Sequence, residues 1–148
     1  MNRTAALLAG CVAVVGVVAP SATAAPKAKP KPITKTYTAT APTPDPTNVA
    51  GVGYSVCAQN VPQSFHDESF KVPAAGTLKV ELTGYLGDWD LLLMDGAREE
   101  IAFSGLTEVQ GQAEVVQVKF KKATQTHIIA CNWAGAPTGT VKYTFTYK

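Results

Sequence analysis

Residues 141–148 read Val141-Lys142-Tyr143-Thr144-Phe145-Thr146-Tyr147-Lys148, with Val141, Tyr143, Phe145 and Tyr147 alternating with Lys142, Thr144, Thr146 and Lys148. Successive side chains of an extended strand point to opposite faces, so one face here is apolar and the other solvated. That is the pattern of a half-buried antiparallel strand. Leu78, Val80 and Leu82 alternate in the same way with Lys79, Glu81 and Thr83, and Val116, Val118 and Phe120 alternate with Gln117 and Lys119. With Leu91 and Leu93 these residues form the expected core. Further strands are predicted at about 51–58, 64–72, 89–94, 100–103 and 126–133, separated by turns such as Leu86-Gly87-Asp88 and Asp95-Gly96. Short strands in this number stack as two antiparallel sheets, so the expected fold is an all-β, jelly-roll-like β-sandwich.

The 148 residues leave room for one ordinary domain once the N-terminal segments are set aside. Arg3, the apolar run from Ala5 to Ala19 and the small residues Ala22-Thr23-Ala24 make a cleavable export signal over 1–24. A cut after Ala25 would leave Pro26 beside the scissile bond, so cleavage is expected after Ala24. A retained membrane anchor is disfavoured, because a spanning helix needs about 20 apolar residues and Pro20 interrupts this run. Leu8-Ala9-Gly10-Cys11 also matches a lipobox, and the alternative is a lipoprotein anchored through Cys11. Residues 25–47, with Pro26, Pro30, Pro32, Pro42, Pro44 and Pro46 among Lys, Ala and Thr, are expected to be a flexible, polyproline-like linker. Its Lys27, Lys29, Lys31 and Lys35 either touch an anionic wall polymer or lipid head group or, more simply, keep a spacer solvated. Residues 48–148 form the domain.

Two cysteines remain after cleavage, Cys57 and Cys131, in a chain bound for an oxidising compartment, and a disulfide between them is expected. A ring of about 70 residues adds roughly 4 kcal/mol in the chain-entropy account. The competing readings are a metal pair, for which two sulfurs without nearby histidines are a poor donor set, and a reactive thiol.

The stretch from Phe70-Lys71-Val72-Pro73-Ala74-Ala75-Gly76-Thr77-Leu78 to Leu82, followed by Gly87-Asp88-Trp89-Asp90-Leu91-Leu92-Leu93-Met94-Asp95, resembles the bacterial pre-peptidase C-terminal domain. That family runs from an apolar-Pro-x-x-Gly-x-Leu strand into Gly-Asp-x-Asp-Leu-x-Leu. Residues 126–133, 135–139 and 143–147 are similar to its closing strands, so the resemblance covers 64–148. It implies a secreted, non-catalytic β-sandwich of the kind appended to proteases and other hydrolases, where it assists export, maturation or substrate attachment. Related collagen-binding modules carry calcium. The sequence contains no protease domain, and the Cys57–Cys131 pair is not required by the family pattern.

Asp88, Asp90 and Asp95 are the candidate calcium ligands, since a hard cation needs several carboxylate and carbonyl oxygens at once. Asp88 and Asp90 point to the same face of an extended strand, and Glu99 or Glu100 adds an oxygen only if the Asp95-Gly96 turn folds back. The helix-loop-helix calcium pattern fails, with Leu92 and Leu93 at two of its required positions. The competing reading is a turn in which Asp88 caps backbone amides while Asp90 faces solvent or pairs with a lysine. No other cofactor is called for.

His66 and Glu68 share a strand face, which suggests acid–base chemistry or, more plainly, a solvated face. His127 is the second histidine. No Gly-x-Ser-x-Gly, His-Glu-x-x-His or glycine-rich phosphate loop occurs, so no catalytic residue is assigned. A discontinuous triad, for example one using Ser104, is assembled in space and leaves no local signature. Trp89 and Trp133 are candidate binding aromatics, but alternation puts Trp89 with Leu91 and Leu93, and Trp133 with Ile129 and Cys131, where both would pack in or near the core. The 13 basic against 11 acidic residues, four of the lysines in the linker, exclude a nucleic-acid footprint. The expected function is that of a secreted, monomeric, non-catalytic accessory or binding module attached to an extracellular polysaccharide or protein, with no membrane contact once the signal is removed. The alternative is a small secreted hydrolase or inhibitor, favoured if His66 or His127 meets a serine and a carboxylate in a pocket.

Overall fold

The computed structural model describes residues 28–44, 61–105 and 112–148. The signal segment, Cys11, Cys57 and the strand expected at 51–58 lie outside the described residues. Eight strands follow one another: β1 (Ile33–Thr40), β2 (Phe65–Val72), β3 (Gly76–Thr83), β4 (Gly87–Asp95), β5 (Glu100–Ser104), β6 (Glu114–Phe120), β7 (Thr124–Gly135) and β8 (Thr138–Tyr147). They form two four-stranded sheets in the orders β1-β8-β3-β6 and β2-β7-β4-β5. Every pairing is antiparallel.

Alternation decides which side chains meet between the sheets. In the first sheet Leu78, Val80 and Leu82 stand level with Phe145, Tyr143 and Val141 of β8, and Leu78 and Val80 with Val118 and Val116 of β6. Opposite them lie Phe70 and Val72 of β2, Trp89, Leu91 and Leu93 of β4, and Ile128 and Ala130 of β7. Every residue expected in the core belongs to this cluster, Val118 and Phe120 at its partly buried margin. The outward positions of the first sheet are hydroxylic and charged; Thr34 and Thr144 hydroxyls, for example, meet at 3.2 Å.

Two features depart from the sequence reading. First, residues 33–40, placed within the flexible linker, form edge strand β1 against β8, with Ile33 level with Phe145 and Ala39 level with Gly139. Ala39 is 0% exposed, and Tyr37 and Ile33 pack against the core. The physical reason is local: no proline lies between Pro32 and Pro42, and Ile-Thr-Lys-Thr-Tyr-Thr-Ala-Thr alternates, with β-branched threonines that suit a pleated surface. Second, β4 and β7 bury side chains on both faces. Leu92, Met94, Ile129 and Cys131 form a second apolar cluster, with Phe65 and Trp133 against it, on the far side of their sheet.

The edges are tied by polar contacts. Between β1 and β2, Lys35 Nζ pairs with Glu68, which raises the lysine's pKa, while the Thr40 amide donates to His66 Nδ1 and the Tyr37 and His66 rings lie 5.3 Å apart. Between β5 and β6, Ser104 Oγ donates to Glu114 and accepts from the Val115 amide at 3.1 Å.

Candidate functional site

The Gly-Asp-x-Asp segment opens β4. Gly87 has φ +95° and stands level with Gly135 of β7; a Cβ on Gly87 would lie 2.0 Å from the Ala134 carbonyl oxygen. Only glycine allows both the left-handed backbone and that approach. Just beyond, Trp133 is an extra residue in β7 between the partners of Asp88 and Trp89.

The structure does not bring the three expected calcium ligands together. Asp95 stands at the other end of β4 from Asp88, roughly 23 Å away along an extended strand. Its Oδ1 accepts from the Ala97 and Glu99 amides at 2.8 and 3.0 Å, closing the β4–β5 turn. Asp90 is 7% exposed, so it is not a solvent-facing carboxylate; its Oδ1 lies 2.5 Å from where a Cβ on Gly105 would stand. Asp88, half-buried, shares its face. Among the described residues no group of three or more His, Cys, Asp or Glu side chains is arranged to hold a metal ion.

What gathers near Asp88 and Asp90 is a tyrosine. Tyr85 donates to the Gln112 carbonyl at 2.8 Å and reaches Glu114 Oε1 at 3.4 Å. Burial first, then the Glu114, Asp88 and Asp90 charges, push its pKa up to about 12. Glu114 was missed in the sequence, although alternation puts it on the core-facing side of β6 with Val116 and Val118, where a carboxylate is conspicuous.

The two tryptophans divide. Trp89 is 1% exposed, with Nε1 donating to the Ala136 carbonyl at 3.1 Å, so it is a core residue. Trp133 is half-buried on the second cluster and its Nε1 has no hydrogen-bond partner among the described residues.

His66 is spent on the β1–β2 edge, and Glu68 on Lys35. His127 Nδ1 lies 2.9 Å from Asp67 Oδ1, and Arg98 holds the other carboxylate oxygen at 2.6 Å. Ser69 stands level with His127 across the β2–β7 pair, so serine, histidine and aspartate share one sheet face. The Ser69 hydroxyl is nevertheless taken by Gln125 Nε2 at 2.7 Å rather than by the imidazole. A nucleophile needs its base in hydrogen-bond reach.

A groove of about 490 Å³ opens where β6, β3 and β8 come level at the far end of the first sheet. Gly76 is its centre, paired to Phe120 on one side and Tyr147 on the other. A Cβ at Gly76 would meet Phe145 Cζ and the Thr146 carbonyl oxygen, both at 2.4 Å, so glycine lets the Phe145 ring lie directly against the backbone. Phe145 in turn meets Tyr147 edge-on, centroids 5.0 Å apart. Lys119, Lys121 and Lys148 line the rim, with the Thr77 and Thr146 hydroxyls in the neighbouring row. No sequence motif announces this site, because its lysines come from separate strands and meet only through the register.

No family model and no curated protein sequence matches the chain. Among solved structures, the chain is similar to the pre-peptidase C-terminal domain of a collagenase from Bacillus anthracis, at TM-score 0.49 and 9% identity, over 77% of this chain and 90% of that one. It is also similar to a fucose-binding module of Streptococcus pneumoniae, at TM-score 0.32 and 16% identity, over 56% of this chain and 70% of that one. Both scores are too low to carry an argument, and the two-sheet architecture rests on the chain's own strand pairing.

Proposed function

We propose that this protein is a secreted, non-catalytic binding or accessory module that attaches to an extracellular polysaccharide or protein through the groove centred on Gly76. The groove itself carries this reading: the Phe120 and Tyr147 rings stand level with Gly76 on either side, Lys119, Lys121 and Lys148 line it, and paired strands support it. Apolar lining with a few placed polar groups is what ligand sites share. The resemblance of residues 64–148 to pre-peptidase C-terminal domains implies a role of the same kind. Retention of the purified chain on insoluble neutral and acidic polysaccharides and on collagen tests it. Binding to one of them that Tyr147→Ala abolishes is the expected result; flow-through on all of them removes the reading.

Export through residues 1–24, with cleavage after Ala24, belongs to this proposal, and the mass of the protein recovered from the medium tests it against acylation at Cys11. So does a Cys57–Cys131 disulfide. It is supported by the burial of Cys131 within the second cluster, where a sulfur is shielded from solvent reductants. Two thiols titrated in the unfolded, unreduced protein would count against it.

A hydrolase is the second reading, favoured by the His127–Asp67 contact with Ser69 in register. Ester hydrolysis abolished by both Ser69→Ala and His127→Ala would replace the module reading.

A further inference from the structure

We infer that the Gly76 groove takes an acidic glycan, a polysaccharide chain bearing carboxylates, and not a neutral one; this rests on the reading of that groove as the binding site. Its rim carries Lys119, Lys121 and Lys148, and among the described residues no acidic side chain lines it. Lys122 follows directly in the β6–β7 turn and is exposed as well. Among the described residues, ion pairs engage Lys35, Lys79, Arg98 and His127, none of them at the groove. Where Lys148 ends the chain, its α-carboxylate offsets one of these charges and the balance stays positive. Unpaired ammonium groups around a concave site attract anions and focus the field in the cleft.

The surroundings of the charges choose among anions. The backbone of Gly76 is already paired on both sides, to β6 and to β8. An extended peptide can add itself only along the outer edge of β6 and not over Gly76, where both neighbouring strands are already in place, so at the centre of the groove it gains no main-chain bonds. The half-buried rings of Phe120 and Tyr147 offer instead an apolar surface on which a sugar face can pack, with Lys121 and Lys148 directly beside them at the strand ends. At about 490 Å³ the groove falls within the roughly 300–1,000 Å³ of ordinary ligand sites. A sugar ring with a carboxylate on its edge matches the aromatic rings and the lysines together.

Binding of the purified chain to three soluble polymers tests this. Polygalacturonate carries sugar and charge, fully methyl-esterified polygalacturonate carries the same sugar without charge, and polyglutamate carries charge without sugar. The expected result is binding to polygalacturonate alone, weakened at least tenfold by the Lys119→Gln/Lys121→Gln pair and by Tyr147→Ala, and weakened further by salt. The Lys79→Gln/Lys142→Gln pair, which removes equal charge from the same sheet outside the groove, should leave it unchanged; an equal loss there overturns the inference. Melting curves show that each variant is folded. Binding of the methyl ester as tightly as of polygalacturonate overturns the acidic ligand while the module reading stands. Polyglutamate bound equally well, with Tyr147→Ala without effect, reduces the site to ion exchange and overturns the glycan. No binding to any of the three also overturns it, and retention on collagen or a neutral polysaccharide then decides the module reading separately.

Discussion

Glu114 is 0% exposed, yet its carboxylate sits at a core-facing position of β6. A buried charge is tolerated only with donors around it, and here Ser104 Oγ and the Tyr85 hydroxyl supply them. The same carboxylate makes a phenolate at Tyr85 unfavourable, which is one reason that tyrosine's pKa is raised to about 12 from 10.0. Since the folded state holds this proton more tightly than the unfolded chain, its contribution is fully present below pH 10 and is lost as the pH rises through about 12. Stability from urea melts should fall over that window, and Tyr85→Phe should flatten the fall. Tyr37 and Tyr143, also pushed up by burial, keep part of the slope. An identical slope in Tyr85→Phe would remove Tyr85 as its source. Asp95 supports a second test. Its two amide bonds make it a turn residue, so Asp95→Ala should cost about 1–2 kcal/mol in a melt, equally in calcium and in chelator. A loss confined to calcium would return Asp95 to the role of ligand. The sequence showed three aspartates close in number. It did not show that an unbroken β4 would hold Asp95 far from the other two.

At the scale of elements, legibility followed the strength of the alternation. β3 and β8, with apolar positions facing in and polar ones between, were read to within a few residues. β4 was read as a strand, but the continuous Leu91-Leu92-Leu93 run also signals burial on both faces, and the second cluster with Leu92, Met94 and Ile129 is its result. β1 was hidden by composition: six prolines over 26–46 dominate the segment average, although none falls inside 33–40. A window of eight residues would have found it, where a window of twenty finds a spacer. The distinction between strand and spacer can be measured. Ala39 faces the core and Thr38 faces solvent. Ala39→Asp should therefore cost at least about 1–3 kcal/mol, the penalty of burying an unpaired polar group, whereas Thr38→Asp should stay within about 0.5 kcal/mol of the parent. A flexible spacer would tolerate both substitutions alike, so equal melts for the two variants would remove β1 from the sandwich.

In the whole molecule, the core and the groove meet at one side chain. Phe145 is fully buried near the end of β8, packs on Phe70 with ring centroids 6.3 Å apart, lies against the Gly76 backbone and meets Tyr147 edge-on. Phe145 therefore belongs to the sandwich, while its edge supports the Gly76 backbone and the Tyr147 ring that line the groove. A site made on a strand this way needs no separate support, since the packing that fixes the sheets also fixes the ring beside the ligand. The dependence runs in one direction, however. Tyr147 is partly exposed at the strand end, and Tyr147→Ala should remove ligand contacts while leaving the melt within about 1 kcal/mol of the parent, as surface changes do. Phe145→Ala opens a cavity under Gly76 and should cost about 3–5 kcal/mol, a large share of the roughly 5–15 kcal/mol that holds an ordinary domain together. The intermediate variant Phe145→Leu decides whether packing and binding are coupled. It keeps most of the apolar volume, so the chain should stay folded at a cost of about 1–3 kcal/mol. It has no ring against which Tyr147 can stand edge-on, so polymer binding should drop by more than the stability loss explains, measured at a temperature well below the melt. A Phe145→Leu protein that binds as tightly as the parent would show that the groove is held by the backbone of β3, β6 and β8 alone, and that Phe145 serves only the core.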